Sequence, residues 1–600
     1  MSFTQISPTK EQLDFCRVLL KGGHTGGIAG PGAGKTTTLE YAAKALADKG
    51  KHGQLITYNK AISDKTAQSL ADVPSVRVST VHSFALRNAL SARLLDKNRI
   101  GSLTTKDISG RCRGGFPIYP SIQKLYRNMT GKALENAFLL SSFDIATLVR
   151  GTLDTFFMSR EHDLQEHHVD ISGLQDRVKN TMAAISWLAP TPQQDPMTRA
   201  LLNLNLHSAE SLAIVREVLG RAQTIWDEIT NIKGELPIPH DAYLKMYVKA
   251  LSEDRAKIPP DLDYLMFDEF QDANPPILEM AALAMSSGVQ VIAVGDPLQH
   301  IYGFRGNVDG FEDLAFDHTV RLTKSFRFGP EIAELIQNYV RATMNRPEYV
   351  LVGDKSVKSC VDTGFHHYNA IICRTNGEIL DECMRVSSDK KIMSHGVYVP
   401  RTREILAVAQ DVYALQDGKV PGGPLRSCRS LRELDEFLTE DRGGAGLDRL
   451  VKQVRAISRR DLFDLVSAFS SKDNKKLTLL TAHAAKGLEF PYVKISDKFA
   501  DVYHKILHDE NFCSEGGLTR DESISQEHRL LFVALSRAQY GLDPYSVKKL
   551  LTHVPPNRHG GGAKIVEAHV EKQQRALEKK AAKMAKEQQA VAVPEFEYGI

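Results

Sequence analysis

Short apolar runs alternate along the chain with longer stretches of helical periodicity. The runs have four to six residues, consist mainly of residues that favour strands, and end near glycine or acidic residues. They are Gly53–Tyr58, Tyr264–Phe267, Val289–Val294, Ala370–Cys373 and Leu477–Leu480. Apolar runs of this length, separated by helical segments, are typical of buried strands in parallel sheets. The pattern therefore predicts an α/β fold with two parallel-sheet cores.

Two long stretches, residues 88–235 and roughly 396–470, lack such short strand-like runs and are predicted to be helical. Because a single core stops growing at roughly 250–300 residues, a chain of 600 residues is expected to contain several domains. We predict a first core from residues 1–87 and 236–318, interrupted by an insertion, 88–235; a second core from residues 319–395 and 470–563, interrupted by a small insertion, 396–469; and a tail, 564–600.

The tail differs in composition from the rest of the chain. Its segment Glu571–Lys586 is basic and has strong helix formers, but only a sparse apolar stripe. Two interpretations stay open. The composition favours a solvated or frayed helix, and the alternative is a basic arm that touches nucleic acid.

Composition limits the class of protein. Apolar residues make up 42% and charged residues 25% of the chain, as in soluble globular proteins. The net charge of +3 neither demands nor excludes a polyanionic partner. The seven cysteines include no C-x-x-C pair, which argues against a structural zinc, an iron–sulfur cluster or a disulfide framework.

The chain also lacks the signals of a membrane or secreted protein. Its first residues are polar, and no apolar run approaches the roughly 20 residues that span a bilayer. We therefore expect an intracellular soluble protein with no membrane partner. Its location would be the cytoplasm of a prokaryotic or virus-infected cell, or the nucleus of a eukaryotic one.

A phosphate-binding loop follows the strand-like segment Gly26–Ala29. Its residues include Gly30, Gly32, Ala33, Gly34, Lys35, Thr36 and Thr37, and a helix-forming segment follows them. Glycines let backbone N–H groups converge on phosphates, and the helix N-terminus adds partial positive charge. Lys35 would reach the β- and γ-phosphates and Thr36 would bind Mg²⁺. ATP and Mg²⁺ are the cofactors that we expect, although Ala29 replaces the first glycine of the strict pattern.

Two acidic residues come directly after the apolar run Tyr264–Phe267. Asp268 is placed to hold Mg²⁺, and Glu269 is placed to orient and deprotonate an attacking water. The alternative, a surface acidic turn, does not explain why the acids follow an apolar strand in a chain that also has a phosphate-binding loop. The pair therefore indicates a nucleotide hydrolase.

With these two motifs the chain resembles superfamily 1 helicases of the UvrD/Rep type, because further motifs follow in the expected order. They are Gln12, Val294–Gly306, Thr481–Phe490 and Glu527–Ala538. Within that group the sequence is most similar to the eukaryotic F-box helicases, on Leu322–Ala333, His240–Lys245, Gly34–Thr38 and Tyr58–Ala61. Because the motor motifs begin near residue 1, we expect no F-box and carry over no ubiquitin-ligase role. The resemblance implies two RecA-like P-loop domains, each with a mainly helical insertion.

The resemblance also implies roles at the ATP site. Gln12 would read the adenine, Phe326 would face it, and Thr37 stands where an arginine often packs on it. Gln299 would sense the γ-phosphate and Glu489 would reach the ribose. Arg327 and Arg537 would be arginine fingers, so that the catalytic set is Lys35, Glu269, Gln299, Arg327 and Arg537.

The track for nucleic acid is implied in the same way. The expected contacts are Tyr58, Asn59, Thr80, His82, Phe84, Tyr302, Phe304 and His483. Aromatic side chains stack on bases of any sequence, which a translocating protein needs. Taken singly, each aromatic is more often a core residue. Tyr58 also lies one place from the usual aromatic position, and Phe304 replaces a common tryptophan.

Three functions stay open. The leading hypothesis is an ATP-dependent DNA helicase that moves 3′ to 5′ on single-stranded DNA, binds junctions of single and double strands, and serves replication, recombination or repair. The second is a translocase that strips a recombinase or single-strand-binding protein with little unwinding, favoured by the F-box-helicase resemblance and the short second insertion. The third is a nucleic-acid-binding scaffold switched by ATP. An RNA track is also open, since nothing in the sequence tests for a 2′-hydroxyl.

Overall fold

A computed structural model places most of the chain. It describes residues 7–112, 116–117, 139–171, 209–301, 310–363, 365, 367–389, 393, 396–425, 428, 430–439, 446–469, 477–496, 498–499, 501 and 519–544. The chain forms two compact units. The first unit combines Met1–Ala29 with Lys35–Leu322, and the second combines Gly30–Gly34 with Thr323–Ile600.

The first unit is built on a six-stranded sheet in the order β3-β2-β6-β7-β1-β8. All of its neighbouring strands are parallel. The strands of this unit are β1 Thr25–Ala29, β2 Gly53–Thr57, β3 Val76–Thr80, β4 Phe116–Pro117, β5 Leu139–Leu140, β6 Tyr264–Phe267, β7 Gln290–Gly295 and β8 His318–Leu322. The short β4 and β5 form a separate antiparallel pair. Because β2, β6 and β7 are adjacent and parallel, their carboxyl ends lie side by side at one edge of the sheet.

Helices connect these strands. The α-helices of the unit are Lys10–Leu19, Lys35–Ala47, Lys60–Ser69, Val81–Ser91, Thr105–Arg111, Ser142–Phe157, Ala209–Thr230, His240–Ser252, Pro275–Ser286 and Gly310–Asp313. The 3₁₀ turns are Lys97–Arg99, Glu166–His168, Phe270–Asp272 and Pro297–Gln299. Asn59 follows the end of β2 by two residues and Thr80 is the last residue of β3, and the side chain of each accepts a backbone N–H at a helix start. Such caps fix the turn from strand to helix at the carboxyl edge of the sheet.

One hydrophobic core joins the sheet to the described part of the 88–235 segment. Helix Ser142–Phe157 buries Ile145, Val149 and Leu153, a spacing of four residues that gives a helix one apolar face. These side chains belong to the same buried cluster as Phe267 of β6. The insertion therefore packs as part of the unit's own core.

The second unit has another six-stranded parallel sheet, in the order β11-β12-β10-β13-β14-β9. Its strands are β9 Cys360–Val361, β10 Ala370–Cys373, β11 Val397–Tyr398, β12 Leu477–Thr481, β13 Phe490–Ile495 and β14 Ala538–Asp543. Its helices are Pro330–Thr343, Asn376–Ser387, Thr402–Gln416, Leu431–Thr439, Leu447–Ala456, Arg459–Ala468, Ala482–Ala485 and Arg520–Leu535. Helices of the 396–469 segment share a buried cluster with β10 and β12.

These two sheets confirm the predicted α/β class with two parallel-sheet cores. Each of the five apolar runs picked out from the sequence contributes a strand, namely β2, β6, β7, β10 and β12. The division into two cores, two insertions and a tail stays a prediction, and the tail lies outside the described residues. The six cysteines in the described ranges are buried free thiols. Among the described helices, none combines the length and the apolarity needed to cross a bilayer.

Candidate functional site

The predicted phosphate-binding loop connects β1 to helix Lys35–Ala47. Gly32 and Gly34 have φ angles of 72° and 73°, a left-handed conformation that glycine adopts without steric cost. The Ala33 N–H donates to the Gly30 carbonyl across 3.2 Å and closes the turn. Lys35 and Thr36 then begin the helix, so that the N–H groups and the partial positive charge of its N-terminus face the loop. The loop can accept an anion.

Thr36 faces the first of the two acids at the end of β6. Its hydroxyl donates to Asp268 Oδ2 across 2.6 Å. Asp268 is buried, and burial, followed by the neighbouring Glu269 charge, raises the pKa of its carboxyl. The carboxylate and the hydroxyl offer the oxygen ligands that Mg²⁺ prefers, and a divalent cation stabilises the charged form of a buried carboxylate. The residues fit the Mg²⁺ that the sequence predicts.

Glu269 has an unusual backbone conformation. Its φ and ψ angles are 48° and 42°, the left-handed region that non-glycine residues seldom adopt and that is found at functional sites. Its Oε2 atom lies 3.4 Å from Lys35 Nζ and accepts a hydrogen bond of 2.8 Å from Gln271 Nε2. The side chain is one-third exposed, so water can approach the carboxylate.

The neighbouring strand β7 ends beside this pair and continues into Asp296 and Gln299. Gln299 Nε2 donates to Asp296 Oδ2 across 2.7 Å, and the Leu298 N–H donates to Asp296 Oδ1. Burial raises the pKa of Asp296 to about 6. The predicted γ-phosphate sensor is thus held at the same edge of the sheet as the predicted base.

Gln12 is buried beside helix Lys35–Ala47. Its Oε1 accepts the Thr9 N–H at 2.9 Å, and its Nε2 donates to the Thr38 hydroxyl at 3.0 Å. Both ends of the amide are therefore oriented by the protein, and among the described residues the second Nε2 hydrogen has no acceptor. Thr37 is exposed in the first turn of the same helix.

In the second unit, Arg327 and Arg537 both approach Ser536. Arg327 donates to Glu489 Oε1 at 2.7 Å and to the Ser536 carbonyl at 2.8 Å. Burial acts to raise the pKa of Glu489, but the Arg327 charge and hydrogen bond hold it below its usual range. Glu489, expected to reach a ribose, is therefore paired with one of the two predicted fingers.

Arg537 is more deeply enclosed, with 1% of its surface exposed. It donates to the Val533 carbonyl at 2.8 Å, to the Ser536 hydroxyl at 2.8 Å and to the Leu488 carbonyl at 3.3 Å. These bonds fix the connection from helix Arg520–Leu535 to β14. Phe326, the expected adenine neighbour, has Lys324 Nζ 4.9 Å from its ring centroid.

Several predicted track residues lie where β2 and β3 end. Asn59 and Thr80 cap the two helices that follow, and both caps are solvent-facing. His82 Nε2 lies 3.1 Å from Asp241 Oδ1, and 37% of the His82 side chain is exposed. His483 is in the short helix Ala482–Ala485 of the second unit. Tyr302 and Phe304 lie outside the described residues.

Phe84, predicted to stack on a base, is buried between two helices of the first unit. Only 1% of it is exposed, and its ring meets Tyr247 edge to face at a centroid distance of 6.3 Å. Helix Val81–Ser91 packs on helix His240–Ser252, and Phe84 fills the space between them. The Tyr58 hydroxyl is also buried, without a hydrogen-bond partner among the described residues. Its burial, and then the charges of Asp272 and Glu269, raise the pKa of Tyr58 well above its usual value.

Three polar residues at these contacts, Asp241, Gln271 and Asp296, are missing from the predicted site. Asp241 and Asp296 lie inside segments that contain a motif, and Gln271 follows Glu269 by two residues, so the motifs were the available signal. Their contacts join segments that are distant in the sequence, such as His82 with Asp241 and Gln271 with Asp296.

A separate cluster, Glu161, His167 and His168, brings potential metal ligands within 4.8 Å of one another. His168 Nδ1 accepts the Gln165 N–H at 2.8 Å, so the proton of the neutral ring is on Nε2. That nitrogen faces Glu161 Oε2 at 3.5 Å. A protonated nitrogen is a donor to a carboxylate and not a metal ligand, so the cluster is assigned to packing.

Comparison with known proteins places these sites in context. Two family models match: the UvrD/REP helicase N-terminal domain over residues 16–315, and the UvrD-like helicase C-terminal domain over residues 443–543. F-box DNA helicase 1 of Gallus gallus is 25% identical over an alignment of 571 residues that covers 90% of this chain and 49% of that protein. F-box DNA helicase protein 1 of Schizosaccharomyces pombe is 25% identical over 363 residues, 56% of this chain and 40% of that protein.

A third relative is the ATP-dependent DNA helicase Rep of Escherichia coli. It is 29% identical over 112 residues, which are 18% of this chain and 15% of that protein. The chain spans about half the length, or less, of the curated relatives that it matches.

Proposed function

We propose that this chain, which belongs to the UvrD/Rep helicase family, is an ATP-dependent DNA helicase that moves 3′ to 5′ on single-stranded DNA. Membership rests on a family model that matches residues 16–315, half of the chain, and on a second that matches residues 443–543. The resemblance drawn from the sequence is thereby confirmed, as is the expected class of two RecA-like domains. The direction of movement comes from the resemblance and is part of the proposal.

One observation supports ATP hydrolysis above the others: Lys35, Thr36, Asp268 and Glu269 converge at the carboxyl edge of the first sheet. Lys35 supplies positive charge to the β- and γ-phosphates. Thr36 and Asp268 would hold Mg²⁺, which when bound neutralises phosphate charge. Glu269 orients a water and takes its proton, while Gln299 reports the presence of the γ-phosphate. Together these side chains supply the parts that phosphoryl transfer to water needs.

Arg327 and Arg537 complete the proposal. Charge that develops on the transferred phosphoryl group is stabilised by a guanidinium, an effect worth roughly 10³–10⁵ in rate. Arg327 donates to Glu489 in the structure. When a nucleotide binds, we propose that Arg327 turns to its phosphates and Glu489 to its ribose. Arg537 is enclosed by carbonyls and a hydroxyl of its own unit, so we assign it a second role in keeping Ser536 and Arg327 in place.

The proposed DNA contacts lie at the carboxyl ends of β2 and β3. Asn59, Thr80 and His82 present amide, hydroxyl and imidazole groups there. Neutral polar groups and helix N-termini bind phosphates without reading sequence. Such contacts suit a protein that must release and rebind each successive nucleotide.

The proposal is tested by comparing ATP turnover with single-stranded DNA, duplex DNA and RNA. Strand displacement on matched 3′- and 5′-tailed duplexes then tests polarity. We expect turnover to rise most with single-stranded DNA, and unwinding to begin at 3′ tails. Unwinding from 5′ tails alone would reject the polarity. A chain that binds DNA but turns over no ATP would instead be a scaffold switched by ATP.

A second function, removal of proteins from DNA with little strand separation, is supported by the second insertion. The described helices of residues 396–469 pack into the core of the second sheet. An insertion committed to that core has less surface for engaging a duplex. Rates of recombinase release and of unwinding on the same DNA separate the two functions. Rapid release with negligible unwinding would favour the second.

A further inference from the structure

Gln271 lies between two parts of the predicted ATP site, namely Glu269 at the end of β6 and the segment Asp296–Gln299 at the end of β7. It follows Glu269 by two residues, in the 3₁₀ turn Phe270–Asp272, and it is 0% exposed. A fully buried polar side chain is costly unless all of its polar atoms are hydrogen-bonded. The partners of Gln271 are therefore informative.

Its amide bridges two neighbouring strand ends. Nε2 donates to Glu269 Oε2 at 2.8 Å, and Oε1 accepts the Asp296 backbone N–H at 2.8 Å. The backbone carbonyl of Gln271 also accepts a hydrogen bond of 2.7 Å from His300 Nδ1. One residue thus contacts the end of β6 and, on both sides of Gln299, the segment that follows β7.

The orientation of the amide is fixed by chemistry. A backbone N–H can only donate, so the atom facing Asp296 must be the amide oxygen. The NH₂ group must then face Glu269, whose ionised carboxylate can only accept. A rotated amide would lose both bonds, so the network permits a single arrangement.

Glycine at position 295 makes room for this bridge. A Cβ atom there would lie 2.4 Å from Gln271 Oε1 and 2.8 Å from the Phe311 ring, closer than such atoms approach. The backbone of β7 can therefore meet the amide only because residue 295 has no side chain. The close approach therefore depends both on β7 and on the turn that follows β6.

The contacts continue to the predicted sensor. The Asp296 N–H donates to Gln271 Oε1, and Asp296 Oδ2 accepts a hydrogen bond of 2.7 Å from Gln299 Nε2. A continuous chain of hydrogen bonds therefore runs from Glu269 through Gln271 and Asp296 to Gln299. Bonds of this kind in a buried site transmit displacement, because breaking any one leaves an unpaired polar group.

We infer that Gln271 is a positioning residue that holds Glu269 in its left-handed conformation and fixes its distance from Gln299. The inference rests on the proposed ATP hydrolysis. It assigns to Gln271 no contact with the nucleotide. Its loss should therefore lower kcat and leave the affinity for ATP unchanged.

The first test replaces the amide by an apolar side chain of similar size, Gln271→Leu. Since a misplacement of about 1 Å can cost about 10²-fold, we expect kcat with single-stranded DNA to fall about 10- to 100-fold. The Kd for a fluorescent ATP analogue should stay within about threefold. The matched control is Gln54→Leu, a buried glutamine of β2 whose Nε2 donates to the Ser79 hydroxyl and the Leu55 carbonyl and not to a residue of the ATP site. It should keep the wild-type kcat.

The second test, Gln271→Glu, has a pH signature that a loss of packing lacks. Its ionised carboxylate would still accept from Asp296 but would repel Glu269. Protonation at lower pH restores a donor toward Glu269. Relative to wild type, kcat should therefore recover several-fold as the pH falls from about 8.5 to about 6.5.

A double variant shows whether Gln271 acts through the base. In a Glu269→Gln background, Gln271→Leu should reduce the residual turnover no further, because residues that act as a unit are not additive. Equal fractional losses in both backgrounds, or a wild-type kcat in Gln271→Leu with stable fold, would overturn the inference and leave the proposed function standing. A wild-type chain without DNA-stimulated turnover would reject the proposed function, and this inference with it.

Discussion

The Thr36 hydroxyl and the Asp268 carboxylate form a hydrogen bond of 2.6 Å between the first helical turn after the phosphate-binding loop and the end of β6. These two residues are 232 positions apart in the sequence. The contact brings together the two oxygen donors expected to hold Mg²⁺, one neutral and one acidic. Thr36 and Asp268 would hold the ion, and their hydrogen bond keeps the two oxygens together at the end of β6.

Asp268→Asn should lower kcat by about 10²-fold or more, since a catalytic metal contributes several kcal/mol of charge stabilisation. Raising the Mg²⁺ concentration should recover part of this loss. The measurement is kcat as a function of Mg²⁺.

The control for this variant is Asp263→Asn. Asp263 lies just before β6, at the opposite end of the strand, and pairs with Lys51 at 2.8 Å. It should keep the Mg²⁺ dependence of the wild type. An identical Mg²⁺ dependence in Asp268→Asn would contradict the metal assignment.

Glu269→Gln should bind ATP normally and lose turnover. General base catalysis contributes typically about 10²–10⁴-fold, and the amide cannot take a proton from water. Equilibrium binding of a nucleotide analogue and single-turnover hydrolysis measure the two effects separately. Hydrolysis near the wild-type rate would show that another group is the base.

The two arginines should respond differently to the same change. Arg327→Lys should lower kcat by about 10³-fold with little change in Tm, because its partner Glu489 is 42% exposed. Arg537→Lys should also lower Tm, since hydrogen bonds from a buried charged group contribute about 1.5–3 kcal/mol. Thermal unfolding and kcat are measured on both variants. Equal Tm values for Arg537→Lys and wild type would show that its enclosure is not structural.

Phe84→Ala should destabilise the first unit by about 3–5 kcal/mol, as expected for an aromatic residue removed from a core. Phe84→Leu, which keeps most of the volume, should fold and bind single-stranded DNA with wild-type affinity. A ring that stacked on a base would instead contribute about 1–3 kcal/mol to that affinity. Fluorescence anisotropy with labelled DNA distinguishes the two. A loss of affinity in a folded Phe84→Leu would support the predicted stacking.

Lys245 should give the first unit a pH-dependent stability at alkaline pH. It is 0% exposed, and burial lowers the pKa of its amine from 10.5 to about 8, although Nζ donates to the Ser159 carbonyl at 2.7 Å. Between these values the unfolded chain binds more protons than the folded chain, so this group makes the free energy of unfolding rise with pH. Below the lower value its contribution is constant. Urea midpoints of wild type should therefore rise relative to those of Lys245→Met across this window; parallel curves would contradict the assignment.

Local pattern was sufficient to find the strands and the residues at their ends. The run Tyr264–Phe267 is observed as β6 without a change of boundary, and Asp268 and Glu269 follow it as expected. A strand is recognised by alternating or consecutive apolar residues, and a phosphate-binding loop by a short motif, so both depend only on residues that are neighbours in the sequence. These features were therefore accessible without a structure.

Contacts between distant segments were not accessible. Phe84 is in a motif that implied stacking, yet its burial depends on Tyr247, which comes from another helix. The bond from Gln271 to Asp296 depends on β6 and β7 being neighbours and on the absence of a Cβ at Gly295. A motif names the residue types at a site, but the tertiary packing decides which of their polar atoms meet.

The bond between Gln271 and Asp296 uses a peptide N–H and no side chain of residue 296. Every amino acid except proline offers that donor. A change of the Asp296 side chain therefore removes the bond to Gln299 but keeps the N–H that Gln271 accepts. Only proline would remove that second bond as well. The link from the turn after β6 to the end of β7 is thus encoded in the backbone, whereas the link to Gln299 is encoded in a side chain.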